Sequence, residues 1–111
     1  MNMTKRQPVS VGEMLTEEFM YPIDLTQVEL AKLMGVSRKT VNELCTNKRS
    51  ITADTALMLG KVFGNTPDFW LNLQQRNDLW QALHNKRRAE KVRKAKPLPV
   101  KRRQQISQSA A

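Results

Sequence analysis

An all-α fold of five helices followed by a basic tail is predicted by three observations. Apolar residues recur at helical spacing from Val11 to Leu83, and no alternating strand pattern or internal repeat interrupts them. Helix-start residues precede each run: Ser10, Thr26, Ser37, Thr52 and the pair Thr66-Pro67. Helix-stop residues follow: Pro22, Gly35, Asn47 and Gly64.

The first helix opens at Ser10, with Glu13 at capping-box spacing. Val11, Met14, Leu15, Phe19 and Met20 form its apolar side, and Glu13, Glu17 and Glu18 face solvent. The Tyr21-Pro22 step ends it, since a residue before proline avoids the αR region. Thr26 caps the second helix and Glu29 completes another capping box. Val28, Leu30, Ala31, Leu33 and Met34 supply its apolar residues, and Gly35 supplies the left-handed stop.

Ser37 caps the third helix, which places Val41, Leu44 and Cys45 on one face. Asn47 stands where a left-handed residue is wanted. Thr52 caps the fourth helix, with Ala56, Leu57, Leu59, Val62 and Phe63 inward and Gly64 at its end. Thr66-Pro67-Asp68 starts the fifth helix with a cap, a proline at the first helical position and an acid on the positive end of the dipole. That helix carries Phe69, Trp70, Leu73, Leu79, Trp80 and Leu83. Beyond His84 the apolar pattern fades, Pro97 and Pro99 break any helix, and the end of the chain reads as disordered.

The formal charge of +9 is unevenly placed. Residues 1–85 hold nine basic and nine acidic side chains, which cancel; residues 86–111 hold ten basic residues against Glu90 alone. A nucleic-acid argument from net charge therefore concerns the tail, and any reader in the first 85 residues must act by local placement. The tail itself has three open readings: a solvated end, a non-specific DNA or RNA arm, or a segment that folds on an acidic partner. One cysteine, Cys45, excludes an intramolecular disulfide and fits a reducing cytosol. No apolar run reaches the length of a membrane span, and the first residues show no signal peptide, so a cytoplasmic protein is expected.

Residues 27–46 carry the functional signal. Two short amphipathic runs flank a tight Gly35-Val36-Ser37 turn, the pattern of a helix-turn-helix. With Val41 centred on the buried face of the second run, a rotation of about 100° per residue points Lys39 and Glu43 outward, with Asn42 on the flank. Arg38 sits in the first turn, where such helices meet base edges in the major groove. Arg38 and Lys39 suit guanine O6 and N7, and Asn42 suits adenine. Glu43 either accepts from cytosine N4 or holds Lys39 and opposes wrong bases. Gln27, Ser37, Thr40, Asn47, Lys48 and Arg49 surround these as phosphate contacts, which fix register and carry the salt dependence.

This segment resembles the phage-repressor-like helix-turn-helix. Ala31, Gly35, Val41 and Leu44 stand at positions similar to its packing positions, and Gln27 resembles its phosphate-binding glutamine. The strings GEMLTEEF, DLTQVELAKLMGVSRKTVNEL, KRSITADTALMLGKVFGNTPDFWLNLQ and DLW look like the HigA-type antitoxins, over Gly12 to Trp80. The resemblance implies a five-helix, phage-repressor-like domain that works as a dimeric, non-enzymatic repressor of its own operon. It also implies a toxin partner encoded by the neighbouring gene, usually a ribosome-dependent mRNA endonuclease. The alternative is a stand-alone transcriptional regulator. Thr46-Asn47 departs from the family's usual Asn-Gly before the basic pair, with little change expected in the loop. The basic end, Lys86 to Arg103, lies outside the shared block.

The expected organisation is a flexible arm over residues 1–9, a DNA-binding domain over 10–85 with the motif at 27–46, and a tail over 86–111. Partners expected are double-stranded DNA with an inverted-repeat operator, a second copy of the chain and the toxin, with no membrane. Trp70, Trp80 and Phe69 fit core or dimer packing better than a stacking platform. His84 has no second histidine or cysteine beside it for a metal set, and no Gly-rich phosphate loop or nucleophile-base pair occurs. No catalytic residue, cofactor or metal is therefore expected.

Overall fold

The computed structural model describes the backbone of residues 6–109 and the side chains of residues 6–106. All regular elements among these residues are helical. They form two compact units, one ending at Gln81 and the other beginning at Ala82. Most of the expected arm, residues 1–5, lies outside the described residues; at its inner end the Val9 carbonyl accepts from Asn77 Nδ2 at 2.8 Å.

In the first unit, α1 begins at Val11–Glu13 and continues as a π-helical stretch, Met14–Met20, and a 3₁₀ turn, Tyr21–Ile23. The π bonding gives α1 its core face. Residues five apart stand one above another when each N–H bonds the fifth carbonyl back. Leu15 and Met20 therefore both point inward, at 0% and 2% exposure, alongside Val11. An unbroken α-helix would turn Met20 away. The proline step does not end the helix in the way the sequence suggests. Tyr21 stays in the αR region, and the chain turns out at Asp24, φ 53°.

The next two helices, α2 (Gln27–Met34) and α3 (Arg38–Cys45), form the helix-turn-helix. Thr26 Oγ1 accepts from the Glu29 N–H, and the Glu29 carboxylate accepts from the Thr26 N–H, closing the capping box. Those bonds to Thr26 hold the Glu29 carboxyl below the usual carboxylate range. Gly35 takes φ 74°, and Ser37 Oγ accepts from the Thr40 N–H. Leu30, Ala31, Met34, Val41 and Leu44 are buried where the two helices meet. Val28 and Leu33, expected inward, are 46% and 62% exposed. In a helix of eight residues the stripe 30-31-34 already fills the core side, and these two lie off it.

Thr52 caps α4 (Ala53–Phe63), which buries Ala56, Leu59 and Gly60; Leu57, expected inward, is 58% exposed because it lies off that stripe. The next helix, α5 (Pro67–His84), brings Trp70 and Leu73 into the core, and Leu79 and Leu83 stay on the surface. Trp70 is fully buried, stacks with Phe19, Phe63 and Phe69 at centroid distances of 4.9–6.0 Å, and donates through Nε1 to Asn65 Oδ1 at 2.9 Å. It is a core residue, as its spacing suggests.

The second unit is helical along its basic stretches. It holds α6 (Lys86–Lys94) and α7 (Val100–Ser109), on either side of Pro97 and Pro99. Lysine, arginine, alanine and glutamate are all strong helix formers, and Asn85 Oδ1 caps α6 by accepting from the Arg88 N–H at 3.0 Å. No side chain of α6 is buried. No helix among the described residues is long and apolar enough to cross a membrane.

Candidate nucleic-acid interface

Helix α3 turns its two faces as its sequence suggests. Val41 and Leu44 are fully buried, and Arg38, Lys39 and Asn42 are exposed on the other side. Arg38 and Lys39, in the first turn, form no ion pair among the described residues. Asn42 Nδ2 donates to Gln27 Oε1 at 3.3 Å, joining the start of α2 to the exposed face of α3. This bond leaves the Asn42 oxygen free to accept and the Gln27 Nε2 free to donate outward. A residue expected at base edges and one expected at phosphates are thus bonded to each other.

Glu43 has a partner other than the one considered from sequence. Arg49 donates to its Oε1 through Nε at 3.1 Å and Nη2 at 2.7 Å, so Arg49, not Lys39, neutralises it. That bond holds the Glu43 carboxyl below the usual carboxylate range, with the charges of Arg49, Lys39 and Lys48 adding to it. Neither bond uses Oε2, which remains available as an acceptor. The Lys48 and Arg49 N–H groups both donate to the Glu43 carbonyl, at 2.8 and 3.2 Å, which closes the loop after α3. Lys48 is exposed at its apex.

Ser37 and Thr40 share a hydroxyl–hydroxyl bond of 3.0 Å at the N-terminus of α3. One O–H proton is used between them, so the other can point to a phosphate beside the positive end of the helix.

Asn47 has a structural role that its sequence position does not show. Its φ of 60° is the left-handed stop expected of it. Its side chain ties the loop to the start of α1: Oδ1 accepts from the Gly12 N–H at 2.8 Å and Nδ2 donates to Ser10 Oγ at 3.0 Å. These bonds use the amide oxygen and one of the two Nδ2 hydrogens, and the residue stays exposed, so the second hydrogen can still be donated outward. A glycine at position 47 could take the same left-handed turn but would lack this tether.

Gly12 is the residue that sequence reasoning missed. A Cβ there would lie 2.3 Å from the Cys45 carbonyl oxygen and 2.9 Å from Asn47 Oδ1. The only local signal is a glycine inside a helical run. Gln74 escaped notice for the same reason: its Oε1 accepts from the Ile51 N–H at 3.0 Å, 23 positions away. Cys45 is half-buried beside Met20, 3.8 Å between sulfurs, and burial pushes its thiol pKa up.

A buried seam, a left-handed glycine between two helices and an exposed polar face on the second define a helix-turn-helix module. The family described as Helix-turn-helix matches residues 22–70. The chain is 48% identical over 100 residues to antitoxin HigA-1 of Vibrio cholerae, covering 90% of this chain and 92% of that one. It is 46% identical to an uncharacterized HTH-type transcriptional regulator of Haemophilus influenzae, covering 86% and 89% of the two chains. The solved structure of Pseudomonas aeruginosa antitoxin HigA with the higBA promoter matches with a TM-score of 0.75 at 33% identity, covering 84% of this chain and all of that one. The chain belongs to the family of helix-turn-helix transcriptional regulators that includes the HigA antitoxins, a non-enzymatic class.

Proposed function

We propose that this protein is a sequence-specific repressor whose α3 reads the major groove. Arg38, Lys39, Asn42 and Glu43 contact base edges; Gln27, Ser37, Thr40, Asn47, Lys48 and Arg49 contact phosphates, and Asn47 also positions the loop between them. The observation that carries this is the exposed polar face of α3, pre-arranged by the Asn42–Gln27 bond above a fully buried Val41 and Leu44. A single small unit offers few base contacts. The working form is therefore a homodimer on an inverted repeat, with half-site centres about 34 Å apart or a multiple of that.

The HigA relatives support a finer reading: the antitoxin of a toxin-antitoxin pair, repressing its own operon and binding an mRNA-endonuclease toxin from the adjacent gene in the cytoplasm. The Haemophilus relative, named only as a regulator, supports a stand-alone regulator as the second reading. Footprinting on the gene's own promoter tests the reader. Lys39→Ala should weaken specific binding far more than non-specific binding, and an unchanged sequence preference would overturn the assignment. Co-expression with the adjacent reading frame separates the two readings: a toxic product silenced and co-purified by this chain supports the antitoxin, and a harmless, unbound one supports the stand-alone regulator.

A further inference from the structure

The charge excess of this protein lies outside its reader domain, and α6 gives part of it a defined shape. Glu90 is the sole acid of the tail, and Arg93 Nη2 donates to both its carboxylate oxygens at 2.6 Å. That pair cancels within the helix. The remaining cations of α6 are Lys86, Arg87, Arg88, Lys91 and Lys94, all exposed and without an ion pair among the described residues. At about 100° per residue, Arg87, Lys91 and Lys94 share one side, with Lys86 and Arg88 flanking them. The opposite side holds Ala89, Val92 and the paired Arg93.

We propose that α6 is a second, sequence-independent DNA contact that lies against the phosphate backbone of duplex DNA. Three arguments select this ligand. The nine residues of α6 span about 13 Å, over which a duplex presents about eight phosphate charges, so five cations meet a matching density. A membrane-surface helix needs a broad apolar face with large side chains, and one alanine and one valine do not supply it. An acidic protein groove would likewise need an apolar anchor on the helix. The choice of duplex rests on the reading of α3 above, which holds the tail at high local concentration near DNA once the reader is bound.

The test uses the full chain with Lys86, Arg87, Arg88, Lys91 and Lys94 all replaced by Gln, which keeps helix propensity and disturbs no buried contact. Binding to operator and to random duplex is measured from 50 to 200 mM salt. The log–log salt slope should fall by about four units, so that the native chain loses roughly 250-fold more affinity than the variant across that range. The ratio of specific to non-specific affinity should stay constant. A charge-conserving variant, with the arginines made lysine and the lysines arginine, should keep the native slope. An unchanged slope in the glutamine variant overturns the proposal, as does a loss confined to operator. Binding to anionic vesicles or single-stranded RNA that the variant loses while its duplex slope stays native also overturns it. Lys39→Ala, run in parallel, separates the two readings: it tests sequence preference, and the salt slope tests α6.

Discussion

Replacing Gly12 with alanine should destabilise the protein even though Gly12 lies in a helix, where alanine is ordinarily the better residue. The added methyl would sit 2.3 Å from the Cys45 carbonyl oxygen, 2.8 Å from its carbon and 2.9 Å from Asn47 Oδ1. Two of these are backbone atoms at the C-terminus of α3, so no side chain can rotate away. Relief requires α1 to retreat by at least about 0.7 Å in a close-packed region. Overpacking of this kind costs about 1–3 kcal/mol, and stretching the Gly12 N–H bond to Asn47 costs about 1 more. Better helix propensity and a less flexible unfolded chain return about 0.5–1 kcal/mol. The net is a loss of about 2 kcal/mol, or a Tm lower by roughly 8–16 °C for a folded unit of this size. Scanning calorimetry or urea titration reads it directly. Gly64→Ala is the internal comparison. That glycine has φ 75° but nothing within 4 Å of an added methyl, so its cost is conformational, about 1 kcal/mol. A Gly12→Ala protein as stable as its parent, or more stable than Gly64→Ala, would refute the reasoning that α1 and the end of α3 are fitted backbone to backbone.

Other perturbations test separate parts of the site. Asn47→Gly keeps the left-handed turn but removes two bonds to α1; it should cost about 1–2 kcal/mol in urea unfolding, and a neutral result would show the tether to be idle. Arg49→Ala should raise the Glu43 pKa toward the ordinary carboxylate value in an NMR titration, since the Arg49 bond is the main cause of its depression. The Glu29 pKa is depressed in the fold, so its contribution is full above the unfolded value of about 4.3 and is lost as pH falls through the folded value. Glu29→Gln, which keeps the capping bond without the charge, should therefore show a shallower loss of Tm from about pH 5 downward, and parallel acid limbs would count against the bond. Lys48→Ala should weaken operator and random DNA alike and flatten the salt slope by about one unit; a selective loss on operator would move Lys48 into the base-reading set.

What was legible in the chain follows from the range over which each signal acts. The caps at Ser10, Thr26, Ser37 and Thr52 and the left-handed turns at Gly35, Asn47 and Gly64 depend on bonds within three to six residues, and the structure has each of them. The faces of α3 follow from one rotation angle and one buried valine. The contacts that finish the site are of another kind. Asn47 reaches Gly12 across 35 positions and Gln74 reaches Ile51 across 23, and nothing local to either glutamine or asparagine marks it as bonded. The π stretch of α1 was equally hidden, because Val11, Met14, Leu15 and Phe19 fit an α pattern and Met20 alone departs from it.

The same distinction bears on how the reader works. Counted as sequence, Glu43 opposes the four cations around it. In the fold its charge is already met by Arg49 through one oxygen, which lets Lys39 stand clear beside it. A phosphate that draws Arg49 away would release the second carboxylate oxygen, Oε1, and strengthen Glu43 as an acceptor when the loop is docked on the backbone. Register on the phosphates and acceptance from a base would then be one coupled event rather than two independent contacts. A double-mutant cycle between Arg49→Ala and Glu43→Gln, measured on operator and on random DNA, reads that coupling. Coupling energies of equal size on the two DNAs would show that the pair serves folding alone. A difference of about 1 kcal/mol or more, beyond the usual additivity error of about 0.3–0.5 kcal/mol, would show that the ion pair takes part in recognition.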